Sequence, residues 1–170
     1  MIFFGDLMCS PCKSALKSLI DLEQEFRGHI KVGFNFFIPS GDRNSIMISE
    51  AALCTSEQGP KYFRKFISSM LNQEKFDEDA IDHAVLQSGT NADSFKSCFF
   101  NRQHQKLLQQ HLKYSNAMGV SVPPTILING EPLEGAINTD ELRELIRRKI
   151  ETKSSNWGAF VRRLKYYFKN

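Results

Sequence analysis

Two of the four cysteines lie close enough in the sequence to form a disulfide bond with each other. The segment Cys9-Ser10-Pro11-Cys12 follows an apolar run, Ile2-Phe3-Phe4, and precedes apolar residues at helical spacing. The pair therefore falls where a predicted strand passes into a predicted helix. At a helix N-terminus, free backbone N–H groups and the helix dipole favour a thiolate over a thiol. A thiolate at Cys9 would act as nucleophile and leaving group in thiol–disulfide exchange.

The same residues admit a metal-binding interpretation. A Cys-x-x-Cys pair is half of a common zinc site, and Cys54 and Cys98 are candidates for the other half. Structural zinc sites usually supply two closely spaced pairs, whereas Cys54 and Cys98 are isolated from each other. The strand before Cys9 and the helix after Cys12 favour redox chemistry. The alternative is a non-catalytic redox-sensing or zinc-stabilised binding module that uses all four cysteines.

The other candidate ligands lack a metal-binding pattern. Cys54 and Cys98 fall on apolar faces of predicted helices, where they form either two buried free thiols or a structural disulfide. Sequence does not give the Cα separation that decides between these two states. No metal spacing joins the four histidines, which are predicted to lie on solvated helix surface: His29, His83, His104 and His111. We therefore predict no metal site and no cofactor.

Length and charge restrict the classes of protein. The chain has 170 residues, of which 41% are hydrophobic, which suits one globular domain with a core. No stretch has the length of a membrane span, and no basic segment followed by an apolar one indicates a signal peptide. Residues 151–170 carry a net charge of +4, which leaves −1 for residues 1–150. A nucleic-acid-binding function therefore has no support outside residues 151–170.

The order of the elements predicts a parallel strand pair first. A second strand is predicted over Lys31–Ile38, with one helix between it and the first strand, so the chain opens as a β-α-β unit. Both strands are almost continuously apolar, which is typical of a sheet covered on both faces. Residues 44–118 then show helical patterns only, with apolar stripes that would form a core.

Strand character returns after this helical block. Thr125–Ile128 is followed by Asn129-Gly130, a strong signal for a two-residue hairpin turn, and then by a returning strand over Pro132–Ile137. Asn138-Thr139-Asp140-Glu141 is a capping box for a last helix. The fold class is therefore α/β, with the order β-α-β, helical insert, β-β-α.

This order resembles the thioredoxin-like fold, and the helical insert resembles its DsbA-like subgroup. Two segments carry the resemblance, one from Phe4 to Cys12 and one from Gly119 to Gly130. It implies a thiol–disulfide oxidoreductase, in either the oxidase or the reductase direction, that acts on protein thiols and disulfides through Cys9 and Cys12. It also implies a periplasmic or other extracytoplasmic location and a membrane redox partner. Pro124 would be the family's cis-proline, with Pro123 and Thr125 at the substrate edge.

The sequence departs from the family at three positions. Pro123 stands where valine or threonine is more common, which removes a backbone N–H donor from the substrate edge. Ser10-Pro11 replaces the Pro-His of strongly oxidising members. We therefore expect the pKa of the Cys9 thiol to lie below that of a free thiol but above the ~3.5 of the strongest oxidants. Phe3 stands where the family often has a buried carboxylate, so a proton relay would need another group or water, and Asp6 is one candidate.

The sequence divides into a domain over residues 1–150 and a basic, aromatic tail over residues 151–170. The tail is predicted to be helical, with aromatic and aliphatic residues on one side. It would then be either a terminal helix packed on its own domain or a helix that contacts a membrane surface or a partner.

Overall fold

The computed structural model of the chain describes residues 1–151. The elements follow one another as β1 (Ile2–Gly5), α1 (Ser10–Glu25), β2 (Gly33–Phe36), α2 (Arg43–Ser56), α3 (Pro60–Leu71), α4 (Glu78–Ser88), α5 (Ala92–Phe100), α6 (Gln105–Ala117), β3 (Thr125–Ile128), β4 (Glu131–Glu134) and α7 (Thr139–Glu151). The predicted tail, apart from its first residue, lies outside the described residues. Its helical character and the division at residue 150 stay predictions.

The four strands form one sheet in the order β2-β1-β3-β4. β1 and β2 are parallel, as the β-α-β pattern predicted, and β3 is antiparallel to both β1 and β4. The hairpin predicted at Asn129-Gly130 is also confirmed, because Ile128 pairs with Glu131 across a two-residue turn. Asn129 and Gly130 have φ values of 54° and 92°, and the tight mirror-image turn requires positive φ at both positions.

Adjacent residues of the two central strands enter different apolar clusters. Phe3 and Ile126 belong to the larger cluster, which also contains buried residues of α1, α7 and the helical insert. Phe4 and Leu127 belong to a smaller cluster that contains Tyr114 of α6. Side chains alternate between the two faces of a strand, so this sheet is covered on both faces. The predicted α/β fold class, thioredoxin-like with a helical insertion, is confirmed.

Five helices, α2 to α6, occupy the chain between β2 and β3. Within this insert, α3 packs against α2 and α4, and α2 also contacts α5. The insert is joined to the sheet through aromatic contacts, of which Phe34 on β2 and Phe63 on α3 are the closest, with ring centroids 4.8 Å apart. Within residues 1–151, none of the helices is both long and apolar enough to cross a membrane.

Three predictions need correction. β2 covers only Gly33–Phe36, because its hydrogen bonds are limited by the four residues of β1. β4 ends at Glu134 rather than Ile137, because Gly135 turns the chain with a φ of 84°. The surface position predicted for the histidines is wrong for His104, whose side chain is 14% exposed, and for His111, which is 6% exposed. His111 lies on α6 and packs against β2. Its Nδ1 accepts a hydrogen bond from the backbone N–H of Phe36 at 3.1 Å, so this polar ring is satisfied inside the fold.

Candidate active site

The turn between β1 and α1 places Cys9 at the start of the helix. Cys9 is the N-cap of α1, with φ −74° and ψ 116°, and its backbone N–H donates to the carbonyl of Asp6 at 3.2 Å. Pro11 stands in the first helical turn, where its missing N–H leaves no intrahelical hydrogen bond unmade. The turn begins at Gly5, where a Cβ would overlap the ring of Phe3. These constraints hold the Cys9 sulfur at the positive end of α1.

The sulfur atoms of Cys9 and Cys12 are bonded to each other, with their Cα atoms 5.1 Å apart. The two residues differ in access, since Cys12 is 1% exposed and Cys9 is only partly buried. The backbone N–H of Cys12 donates to Sγ of Cys9 at 3.2 Å. Cys9 is thus the more exposed residue of the pair, and negative charge on its Sγ would meet a backbone donor and the helix dipole.

Asp6 fixes the turn to the helical insert. Its Oδ1 accepts from the backbone N–H of Met8 at 2.9 Å, and its Oδ2 accepts from Oγ of Ser45 at 2.8 Å. Ser45 is held in turn by the α2 N-cap Asp42, whose Oδ1 accepts from the Ser45 N–H at 2.8 Å. That backbone hydrogen bond lowers the pKa of Asp42. The role of Asp6 as a proton relay stays a prediction, while its contacts give it a positioning role.

The Pro123–Pro124 peptide bond is cis. Thr125, the next residue, pairs with Phe4, so Pro124 adjoins the end of β1 from which the chain continues to Cys9. The Pro124 carbonyl accepts from the N–H of Gly135 at 2.8 Å, and the Thr125 hydroxyl donates to the Val122 carbonyl at 2.7 Å. Pro124 and Thr125 are buried, Pro123 is partly buried and Val122 is 45% exposed. The cysteine pair and the two prolines thus share one end of the sheet.

Phe3 on β1 is buried and contributes no polar group. It is 2% exposed and belongs to the same apolar cluster as Leu7 and Cys12. The position that often holds a carboxylate in the family is therefore occupied by an apolar side chain in apolar surroundings. Ser10 and Pro11, by contrast, are exposed at the surface beside Cys9.

The other two cysteines form a separate pair. Cys54 on α2 and Cys98 on α5 are bonded, with Cα atoms 5.7 Å apart, and both are 2% exposed. Among residues 1–151, the cysteine, histidine and carboxylate side chains close enough to share a metal ion are Cys54, Cys98 and His104. Cys9 and Cys12 are not part of that group, so the four-cysteine zinc site of the alternative interpretation is not formed.

Sequence reasoning missed two residues near these sites. Ser45 reaches Asp6 from another element, and only the helix-start pattern Asp42-x-x-Ser45 hinted at its place. His104 lies beside a cysteine pair whose members come from two other helices, and no spacing in the sequence joins the three.

Comparison with known proteins gives one family and several similar folds. A family model described as thioredoxin matches residues 1–148. No curated protein sequence matches the chain significantly. Among solved structures, the thiol-disulfide exchange protein α-DsbA2 from Wolbachia pipientis is 20% identical, with a TM-score of 0.76 over 86% of this chain and 79% of that one.

Two further structures show the same architecture. A periplasmic thioredoxin-like protein from Salmonella enterica serovar Typhimurium is 20% identical, with a TM-score of 0.73 over 89% of this chain and 83% of that one. The catalytic domain of Proteus mirabilis ScsC is 21% identical, with a TM-score of 0.72 over 89% of this chain and 82% of that one. At these identities the similarity concerns the fold. The chain belongs to the thioredoxin family, and its fold is the DsbA-like one, with a helical insert between the two halves of the sheet.

Proposed function

We propose that the chain is a thiol–disulfide oxidoreductase that exchanges disulfides with protein substrates through Cys9 and Cys12. The observation that carries this proposal is the contrast between the two sulfur atoms. Cys9 is the more exposed of the two residues and its Sγ accepts a backbone N–H at the N-terminus of α1, whereas Cys12 is buried. Exchange needs one sulfur that can be attacked and can leave as a thiolate, and a second that is released only when the first has reacted.

In the oxidase direction, a substrate thiolate attacks Sγ of Cys9. The Cys9–Cys12 bond breaks, its electron pair goes to Sγ of Cys12, and a mixed disulfide between the substrate and Cys9 remains. A second substrate thiolate then attacks the substrate sulfur of that mixed disulfide, and Cys9 leaves as a thiolate. The substrate has lost two electrons and the cysteine pair has gained them. The reverse steps reduce a substrate disulfide, and the relative redox potentials of the pair and its partner set the direction.

The proline segment is the proposed substrate edge. An extended peptide beside the partly buried Pro123 would present its sulfur to Cys9, while the buried Pro124 and Thr125 would hold this residue in place. Pro123 has no N–H, so hydrogen bonds to the peptide at this residue would use its carbonyl alone.

An extracytoplasmic location fits the same proposal. The two disulfides of the described residues persist in oxidising compartments, and the Salmonella protein of similar fold is periplasmic. A membrane protein that resets the redox state of Cys9 and Cys12 would be the corresponding partner.

The test measures disulfide reduction in insulin and the equilibrium of the Cys9–Cys12 pair with glutathione. The wild type should accelerate insulin reduction, Cys9→Ser should return the rate to that of the uncatalysed reaction, and Cys12→Ser should accumulate a mixed disulfide at Cys9. Ser14→Ala, an exposed change on α1, is the matched control and should leave the rate unchanged.

Either of two results would contradict the proposal. One is a wild type that leaves insulin disulfides untouched, and the other is a Cys9→Ser variant as active as the wild type. Stoichiometric zinc on Cys9 and Cys12, with loss of the fold in a chelator, would instead support a metal-stabilised binding module.

A further inference from the structure

A cluster of metal-ligand types surrounds the second cysteine pair. The sulfur atoms of Cys54 and Cys98 and a ring nitrogen of His104 lie within 4.8 Å of one another. Both cysteines are 2% exposed, and the His104 side chain is 14% exposed. The three residues come from α2, from α5 and from the N-cap position of α6. The fold thus brings two sulfurs and one imidazole into a largely dry site.

One face of α2 holds the chain around this cluster. Glu50, Cys54 and Glu57 follow at spacings of four and three residues, so they lie on neighbouring turns of one helical face. Each of them contacts the segment from Cys98 to His104. Glu50, 4% exposed, pairs with Arg102 at 3.2 Å, and Glu57 Oε1 lies 3.0 Å from Nε2 of His104. The position of His104 beside the sulfurs therefore rests on contacts besides the disulfide.

The ring nitrogen of His104 is available as a ligand. Nε2 is buried and has no hydrogen-bond partner in the structure. The Glu57 carboxylate is within ion-pair distance of this nitrogen, with its Oε1 3.0 Å from Nε2. A buried imidazole next to two sulfurs and a carboxylate matches the donor types that zinc prefers.

We propose that the reduced form of the protein binds a zinc ion through Cys54, Cys98, His104 and Glu57. In the disulfide form the two sulfurs are bonded to each other, and each lacks the thiolate charge that holds zinc. The bound form requires the sulfurs to separate to about 3.8 Å, the edge of a tetrahedron with Zn–S bonds of about 2.3 Å. Glu57 is 47% exposed at the end of α2, so its side chain is free to rotate into the fourth position.

Two steps connect the forms. A phosphine reductant takes an oxygen atom from water and becomes a phosphine oxide, while the disulfide gains two electrons and two protons and becomes two thiols. Zn²⁺ then bonds to both sulfurs, and the two thiol protons pass to solvent. Because oxidation of the two thiolates would first require loss of the metal, zinc would protect this pair from oxidation.

The experiment uses the full chain with Cys9→Ser and Cys12→Ser, so that no active-site thiol can bind metal and the outcome is independent of the proposed oxidoreductase activity. The protein is reduced with a phosphine in denaturant, refolded, freed of phosphine and titrated with Zn²⁺ against a chromophoric chelator. We expect one zinc per chain in the reduced protein and none in the oxidised protein. Co²⁺ in place of zinc should give thiolate-to-cobalt charge-transfer absorption and the visible bands of a tetrahedral site.

Variants test the ligand set. His104→Ala and His104→Gln should weaken zinc binding at least about tenfold and change the Co²⁺ spectrum, as expected when a metal site loses a donor. Glu57→Gln should weaken binding by a similar factor, whereas His29→Ala, an exposed histidine elsewhere, should match its parent. Far-UV circular dichroism reports whether each chain is folded. A reduced chain that unfolds should regain its helical signal with zinc, and His104→Ala should prevent this recovery.

The proposal is overturned by either of two outcomes. In the first, the reduced protein binds no zinc, or stays unfolded when zinc is added. In the second, His104→Ala and His104→Gln retain the zinc affinity and the Co²⁺ spectrum of the parent.

Discussion

His111 is a buried histidine whose pKa is lowered in the folded protein. The ring lies between α6 and β2, is 6% exposed and accepts the Phe36 N–H at Nδ1. Burial, and secondly repulsion from His104, lowers the pKa of His111 from 6.5 to about 4. In the unfolded chain the same ring takes up a proton near pH 6.5. Between these two values the unfolded state binds more protons than the folded state, so acid favours unfolding.

We therefore expect the free energy of unfolding to fall as the pH is lowered from 6.5 to 4. A pKa difference of this size corresponds to a loss on the order of 3 kcal/mol. Guanidinium unfolding at a series of pH values across this window measures it. His111→Gln, whose side-chain oxygen can accept from Phe36 N–H, should show a flatter dependence. Parallel curves for the wild type and this variant would contradict the assignment.

At the level of residues, the sequence predicted contacts between residues that are close together in the chain. The pairing of Cys9 with Cys12 could be predicted because the two residues are only three positions apart in the sequence. The strand-to-helix pattern also predicted their position at the start of the helix. The contacts Asp6–Ser45 and His111–Phe36 could not be predicted from the sequence, because each joins two elements whose relative placement depends on tertiary packing. The position of His104 beside Cys54 and Cys98 could not be predicted for the same reason.

The helices of the insert depend on their first residues. Asp77 is the N-cap of α4, and its Oδ1 accepts from the Ala80 N–H at 3.0 Å. Asp77→Ala should lower the free energy of unfolding by about 1 kcal/mol, because the amide of Ala80 loses its acceptor. Chemical denaturation measures the loss, and Asp77→Asn, which keeps an accepting oxygen, should lose much less. Equal losses in both variants would show that the cap hydrogen bond is not the cause.

The ends of a helix or strand could be predicted where capping or turn residues mark them in the sequence. They could not be predicted where a neighbouring strand determines them. The caps and the Asn129-Gly130 turn are encoded within a few residues. The length of β2 is different, because a strand is defined by its partner and β1 offers only four residues to pair with. The apolar run over Lys31–Ile38 is real, but its last residues, Phe37 and Ile38, are buried outside the strand.

The two disulfides have different consequences for the stability of the whole molecule. Cys54 and Cys98 are separated by 44 positions, and Cys9 and Cys12 by three. A cross-link that closes a long loop removes more conformational entropy from the unfolded chain. Cys54→Ala/Cys98→Ala should therefore lower the free energy of unfolding by about 2–4 kcal/mol, with a smaller loss for Cys9→Ala/Cys12→Ala.

Guanidinium unfolding of the two double variants beside the oxidised wild type makes this comparison. A loss in Cys9→Ala/Cys12→Ala as large as that in Cys54→Ala/Cys98→Ala would exclude loop closure as the source of the difference. The cysteine-to-alanine changes at residues 54 and 98 also remove two buried sulfur atoms, so the wild type with both disulfides reduced is a useful third sample.

The architecture followed from the order of the elements, whereas the arrangement of the insert did not. A β-α-β unit and a later hairpin leave few ways to build one sheet, and right-handed crossovers reduce these further. An apolar stripe shows that a helix face is buried but not which neighbour buries it. The pairing of α3 with α4 and the bond between α2 and α5 therefore had to come from the structure.

In chain order, the first cysteine is bonded to the second and the third to the fourth. Four cysteines can pair in three ways, and this is the one pairing in which neither loop contains a cysteine of the other. Reduction of one pair therefore leaves the loop that the other pair closes intact.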